Sequence, residues 1–392
     1  MISNPGSIHT RNWSEGLQKS GIDVIVAYVK EWMRDAKHFQ KELNAEIILF
    51  DSPSKSNLIK SAFGNFRINP LLRDLKNKTK IHQELEIIGK ELGQVIKNRE
   101  IDYVHAHGVA TSALLAYSSG FEKYGVTAWG SDIYIAPEKY PYLKGLISNA
   151  VSHASIIHVE SELSASRIKE LAHIDEDKLF VSTWGVDVDA FTPDGQVMDN
   201  HYASQIQDKR VLLSFRALEP LYQIGSIIDA YKEISEEFHD IVLVIGSNGS
   251  EKDRLLKKVA DMELEERVIF TGFVETDLKR SLLSNSYCYV QCPASDGVAI
   301  TVMEAMASGL PIISSNVGEN MILIEDGHNG ILVNEPYQTT LANAMRKLLR
   351  NPELKDAMSN ASRQLALAKH NRGFFFDNLM SRVKSVCNHM GN

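Results

Sequence analysis

Cysteine is scarce: Cys288, Cys292 and Cys387 are the only three in 392 residues. An odd, sparse count with no C-x-x-C pair excludes a disulfide scaffold and a cysteine metal site, and points to a reducing compartment. Long apolar runs are missing too. No stretch reaches the roughly 18 residues of a membrane-spanning helix. The opening MISNPGSIHTRNW lacks a basic segment followed by an apolar one, so no secretory signal is expected. Positive charge is in deficit, with 42 Lys and Arg against 50 Asp and Glu and a net charge of −8. Nucleic acid is thereby excluded as the main partner, because a phosphate backbone demands a basic footprint. The expected location is the cytoplasm, with the inner face of a membrane as an alternative.

What remains is ordinary globular material, 44% hydrophobic and 23% charged, which excludes a disordered or fibrous chain. Single cores stop growing at about 250–300 residues, so two domains are expected. Short apolar β-branched runs alternate with longer amphipathic ones. Strands are expected at 23–27, 46–50, 101–105, 126–129, 155–160, 211–215, 241–246, 268–271, 287–291 and 311–314. Helices are expected at 12–20, 81–98, 161–171, 226–238, 251–262, 277–284 and 303–308. This alternation reads as βαβ units, hence parallel sheets with helices on both faces. It pauses at 186–209, a polar stretch with Pro193 and Gly195. The expected division is therefore a domain at 1–190, a hinge at 191–209 and a domain at 210–373. A helix at 374–392 follows; it is expected to dock on something, with a crossing back to the first domain as one outcome. Ligands of open α/β sheets bind beyond the carboxyl ends of strands, so the loops after strands are where chemistry is sought.

The most informative stretch is 292–334, CPASDGVAITVMEAMASGLPIISSNVGENMILIEDGHNGILVN. A loop opened by Asp296 and Gly297 follows a strand, and a helix then carries Glu304. The amides of Gly297, Val298, Ala299 and Ile300 lie at that helix's N-terminus, where unpaired N–H groups favour an anion. An ionised Glu304 accepts only, and so suits the two hydroxyls of a ribose.

This block resembles the retaining glycosyltransferases of family 4, in which an acidic residue, seven others and a glutamate lead into an E-A-M-A-x-G-x-P turn. Here the match is Asp296-x7-Glu304, then EAMASGLP, NVGEN and IEDGHNGILV. Further segments follow the family's order: TAWGSDI at 127–133, STWGVDVDAFTP at 182–193, LLSFRALEPLYQIG at 212–225, LVIGSNGSEKDRL at 243–255 and VIFTGFV at 268–274. The resemblance implies an α/β fold of GT-B type, with two doubly wound Rossmann-like domains facing a deep interdomain cleft. It also implies retaining, metal-independent transfer of a sugar from a nucleotide-sugar donor to an acceptor hydroxyl. The acceptor would be a glycan or lipid in cell-surface polysaccharide, lipopolysaccharide or glycolipid synthesis. The donor is a substrate, so no cofactor is expected. A sugar-nucleotide epimerase and a non-catalytic nucleotide-sugar-binding member are the alternatives.

The candidate catalytic residues are Arg216, Asp296 and His107. Arg216 is read as a diphosphate clamp, its planar fork matching phosphate oxygens. Donor contacts are assigned to Arg216, Gly246, Val274, Asp296, Gly297, Val298, Ala299, Ile300 and Glu304. The family's usual lysine five or six residues after the arginine is absent; Leu221 and Tyr222 stand there. Acceptor or sugar contacts are assigned to Gly6, Ser7, His9, Trp129, Ser131 and Asp132. Trp129 replaces a frequent histidine and is either a sugar platform or a core residue. Alternation puts His105 and His107 on one face of a strand, with one buried and the other available to ligand. Asp187 and Asp189 imitate a metal motif, but they fall in the expected hinge, and no metal is expected. Residues 55–80 carry seven Lys or Arg against Asp74 alone. They are either a peripheral surface for anionic lipid or a solvated basic face.

Overall fold

The computed structural model describes residues 1–5, 8–29, 44–51, 70–194 and 202–389. Two compact units result: Met1–Thr183 with Gly373–Asn392, and Trp184–Arg372.

In the first unit, β1 (Ile25–Val29) pairs in parallel with β2 (Glu46–Phe50). A second parallel set runs β3 (Val104–His107), β4 (Tyr124–Thr127), β5 (Ile156–Val159) and β6 (Leu179–Val181). Residue 2 joins the two. Ile2 bridges both Ala27 and Ala106, and its N–H donates to the His105 carbonyl at 2.8 Å. The continuous order is therefore β2–β1–Ile2–β3–β4–β5–β6, and the chain reverses direction of travel between Ile2 and β3. Strands β3, β4 and β5 are buried at every residue, as a sheet covered on both faces requires. The helix Pro70–Asn98 buries Ile81, Leu85, Ile88, Leu92 and Ile96, a helical stripe of i, i+3 and i+4 spacing.

The second unit is a six-stranded parallel sheet in the order β9–β8–β7–β10–β11–β12. Its strands are β7 (Arg210–Ser214), β8 (Ile241–Ile245), β9 (Val268–Phe270), β10 (Cys288–Gln291), β11 (Ile312–Ser315) and β12 (Gly330–Val333). The order reverses between β7 and β10, the topological switch point of a doubly wound sheet. Strand β8, IVLVI, is apolar and buried at all five positions.

One boundary differs from the sequence expectation, and the last helix returns to the first unit, as one expectation had it. The second unit begins at Trp184, before the expected hinge. Val186, Val188 and Phe191 are buried in its core, and Arg363 binds the carbonyls of Val188, Phe191 and Ala307 at 2.7–3.0 Å. The polar look of 186–209 hid three apolar anchors. Residues 195–201 of that hinge lie outside the described residues. The last helix, Arg372–His389, belongs from Gly373 onward to the first unit. There Phe375 packs on Trp13, His158 and Phe180 at centroid distances of 5.1, 4.9 and 5.5 Å.

Candidate functional site

Arg216 sits two residues beyond β7, and Asp296 five residues beyond β10, so both flank the switch point of the second sheet. Arg216 Nη2 donates to Asp296 Oδ1 at 2.9 Å, and both side chains are about nine-tenths buried. The guanidinium also lies over the Tyr222 ring, 4.3 Å from its centroid. Where the family resemblance led one to look for a second cation, an aromatic face holds the first one in place. Burial pushes the Asp296 carboxyl above its usual range, while the Arg216 charge and hydrogen bond pull the other way. Its Oδ2 is buried and has no hydrogen-bond partner among the described residues.

The loop carrying Asp296 is pinned from behind. Ala294 N–H donates to the Leu221 carbonyl at 2.8 Å, and Glu319 N–H donates to the Asp296 carbonyl at 3.1 Å. Gly318, at φ +57°, allows the second contact: a Cβ there would lie 2.1 Å from the Asp296 carbonyl oxygen. Beyond the loop, the helix Ile300–Ala307 starts with no side-chain cap. Among the described residues, no acceptor takes the amides of Val298, Ala299 or Ile300. Gly297 is exposed, with open space where a Cβ would stand.

Glu304 is buried on that helix, and both its oxygens are taken by Lys279 Nζ at 3.0 Å. Lys279, on the helix Thr276–Ser284, carries no mark in the sequence that would single it out. The spacing of 25 residues gives no local signal; only the fold brings the two helices together. Gly246 and Val274 are in contact, and a Cβ on Gly246 would meet the Phe215 ring at 2.5 Å and Val274 at 2.7 Å. Tyr289 ties the floor together, accepting from the Phe215 N–H at 3.3 Å and bonding Thr301 Oγ1 at 3.0 Å.

The first unit's candidates gather at its own switch point. Both His105 and His107 are buried, where the expectation was that only one would be. Strand β3 is covered on both faces, so alternation does not make one face open. His107 Nδ1 lies 3.1 Å from Ser3 Oγ, while Nε2 is buried and has no hydrogen-bond partner among the described residues. Burial drives the His107 pKa well below the usual histidine value, with the neighbouring positive groups His105, the N-terminal amine, His9 and His158 adding to the effect. Trp129 is half-buried, not a core residue, and stacks tilted on His9 at 4.6 Å and edge-on to His107 at 5.5 Å. Burial lowers the His9 pKa to about 4. Asp132 accepts from the N–H groups of Trp129 and Val109, both at 2.8 Å, and so fixes the loops after β4 and β3. Burial nonetheless raises its pKa, those bonds notwithstanding. Ser131 is exposed. Gly6, Ser7 and the basic segment up to residue 69 lie outside the described residues, as do the side chains of 70–79.

Asp187 caps a turn through the Ala190 N–H at 3.0 Å. Among the described residues, no three His, Cys, Asp or Glu side chains are grouped to hold a metal ion. None of the described helices is long and apolar enough to cross a membrane. A depression of about 620 Å³ lined by Tyr117, Tyr124, His153 and Asp177 lies where β4 and β5 begin, the ends opposite the switch point, and no candidate residue lines it.

Comparison with known proteins agrees with this geometry. Residues 199–365 match the profile of glycosyl transferases group 1, and residues 73–161 that of the glycosyl transferase 4-like family. The chain belongs to the family 4 glycosyltransferases, with the GT-B fold. N-acetyl-alpha-D-glucosaminyl L-malate synthase of Bacillus anthracis is 23% identical over 71% of this chain and 73% of its own. Alpha-D-kanosaminyltransferase of Streptomyces kanamyceticus is 25% identical over 58% of this chain, which spans 56% of that relative's length. Anabaena HepE, solved with UDP and with UDP-glucose, superposes with TM-scores of 0.73 and 0.72 at 15% and 16% identity, over 98% of each chain. At that identity HepE speaks for the fold of this glycosyltransferase.

Proposed function

We propose that this glycosyltransferase binds a nucleotide-sugar donor in its second unit and an acceptor in its first, and transfers the sugar with retention and without a metal ion. The observation that carries the reading is the Arg216–Asp296 pair across the switch point of the second sheet, with Glu304 on the helix that follows. Arg216 and the unpaired amides of Val298, Ala299 and Ile300 neutralise the diphosphate, the task that a cation performs elsewhere. Glu304 takes the ribose hydroxyls, sharing its oxygens with Lys279. Gly246 and Val274 border the base. Asp296 Oδ2, buried and unpaired, accepts from a hydroxyl of the donor sugar. In the first unit, His107, His9, Trp129, Ser131 and Asp132, together with Gly6 and Ser7, attend the acceptor.

In the step itself, the bond from the anomeric carbon to the β-phosphate oxygen breaks as the acceptor oxygen bonds to that carbon on the same face. The acceptor's proton passes to the leaving phosphate. No dedicated base is then required, and positioning supplies the rate. The acceptor is a cell-surface glycan or glycolipid, a reading supported by the basic and apolar composition of 55–80, which suits an anionic lipid surface. Three free cysteines, two of them buried, suit a cytoplasmic setting.

The test is to follow nucleoside diphosphate release from UDP-, GDP-, ADP- and TDP-sugars with and without EDTA, and to read the product's anomeric configuration by NMR. Turnover in EDTA with the donor's configuration kept is expected. Inversion or a metal requirement contradicts the reading. A converted sugar left on the nucleotide would make the protein an epimerase.

A further inference from the structure

His105 and His107 share one face of β3 but differ in how their ring nitrogens are satisfied. His158 Nε2 lies 2.7 Å from the Ser182 carbonyl, which only accepts, so His158 carries its proton on Nε2. Its Nδ1 is then an acceptor, and takes the Thr127 hydroxyl proton at 3.1 Å. Thr127, its proton spent, accepts from His105 Nε2 at 2.8 Å. His105 Nδ1 faces the Tyr103 hydroxyl at 3.5 Å. Each ring nitrogen of that pair has a partner.

A second relay runs through residues at the start of the chain. The Thr10 hydroxyl donates to the Asn4 carbonyl at 2.6 Å. With that proton spent, the 2.6 Å contact between Ser3 Oγ and Thr10 Oγ1 must be a donation by Ser3. Ser3 is then an acceptor toward His107, and His107 Nδ1 must donate across the 3.1 Å between them. A neutral imidazole has one ring proton, so His107 Nε2 is a bare lone pair. It is also the nitrogen that is buried and has no partner among the described residues, in a residue 7% exposed. Ser3 is 4% exposed and Thr10 fully buried, so water does not compete for the relay. Ser3 follows Ile2 and His107 ends β3, neighbours across the point where the first sheet's order reverses. The half-buried Trp129 ring lies edge-on to the imidazole at 5.5 Å, an aromatic face of the kind that packs on a sugar, while the fully buried Trp13 backs the imidazole at 4.5 Å.

We propose that Ser3 and Thr10 are positioning residues that lock His107 in its Nδ1–H tautomer, so that Nε2 accepts a hydrogen bond from a sugar hydroxyl of the acceptor. This rests on the reading of the first unit as the acceptor-binding one. A bare Nε2 orients a hydroxyl; it has no proton to give a phosphate. The relay thus makes the site selective for hydroxyl donors over anions.

The tautomer is read in the full-length protein alone, by long-range proton–nitrogen correlation after ¹⁵N-histidine labelling, with His107 assigned by its loss in His107→Gln. Nδ1 protonated and Nε2 bare is expected, with that preference lost in Ser3→Ala. A proton on Nε2 in the wild type overturns the proposal, whether or not any nucleotide sugar is turned over. The second arm follows transfer from the nucleotide sugar with the highest turnover to methyl glucoside and methyl mannoside, which supply sugar hydroxyls, with hydrolysis by water recorded alongside. His107→Gln, which restores an acceptor near the Nε2 position, is expected to recover most of the transfer that His107→Asn loses. His107→Asn, which keeps only the bond toward Ser3, is expected to lose about 30-fold in kcat/KM, carried mostly by kcat. Equal activity of the two variants, both melting cooperatively, overturns the role of Nε2. Absence of turnover by the wild type would contradict the proposed function, and the tautomer measurement would still decide whether the relay exists.

Discussion

Lys279 holds both oxygens of Glu304, whose side chain is 7% exposed. Removing the ammonium leaves a buried carboxylate without its counter-charge. Lys279→Ala is expected to destabilise the second unit by about 2 kcal/mol, below the roughly 3–5 of a fully buried pair because the lysine is a quarter exposed. Urea unfolding checks this, and Glu304→Gln in the same background should recover most of the loss. Gly246→Ala sets a Cβ against Phe215 and Val274, and is expected to cost roughly 1–3 kcal/mol, with weaker nucleotide binding. A variant as stable as wild type would mean the ring moves freely. At this scale the sequence was legible where function and local pattern coincide. Arg216, Asp296 and Glu304 stand in one motif order, whereas Lys279 and the stacking of Tyr222 on Arg216 depend on contacts made only after folding. Both histidines of β3 were found, but not their burial.

The last helix is the clearest case at the scale of the element. Its run of phenylalanines announced an apolar face, and its amphipathic pattern announced a helix, but neither named the surface it covers. It returns to the first unit, where Phe375 is 2% exposed against Trp13 and Phe180. Phe375→Ala is expected to cost about 3–5 kcal/mol, and the loss should appear in hydrogen exchange of β3 to β5 rather than of β7 to β12. Protection lost equally from both sheets would contradict the assignment of the helix. Ten of the twelve strands among the described residues stood at or within three residues of their sequence-read places, because a buried parallel strand is a short apolar run. Strands β6 and β12 were missed. They are three and four residues long and only partly buried, so their composition does not separate them from loop. The bridging role of Ile2 rests on two long-range pairings and has no local signature.

For the whole molecule, the histidines set a pH dependence. Burial lowers His9 and His158 to about 4, and His105 and His107 well below the usual value, all in the first unit; His370 in the second is also lowered to about 4. The unfolded chain takes up protons at ordinary histidine pKa values near 6.5, and the folded chain does not. Stability is therefore whole above about pH 6.5 and lost as pH falls toward 4, by up to about 1.4 kcal/mol per pH unit for each such histidine. Asp132 and Asp296, raised by burial, act with the opposite sign but only where carboxylates begin to protonate. The melting temperature is expected to fall by more than about 5 °C between pH 7.5 and 5. A flat profile would show that these rings are solvated or charged in the native state.

The most direct test of the account is a calorimetric titration, with and without EDTA, of the wild type, Arg216→Gln and Glu304→Ala with UDP, GDP, ADP, CMP and TDP. One nucleotide is expected to bind the wild type, and each substitution to weaken it by at least about tenfold, or 1.4 kcal/mol. Binding that is indifferent to both substitutions, that EDTA abolishes, or that fails for every nucleotide would contradict a metal-free donor site at the switch point of the second sheet.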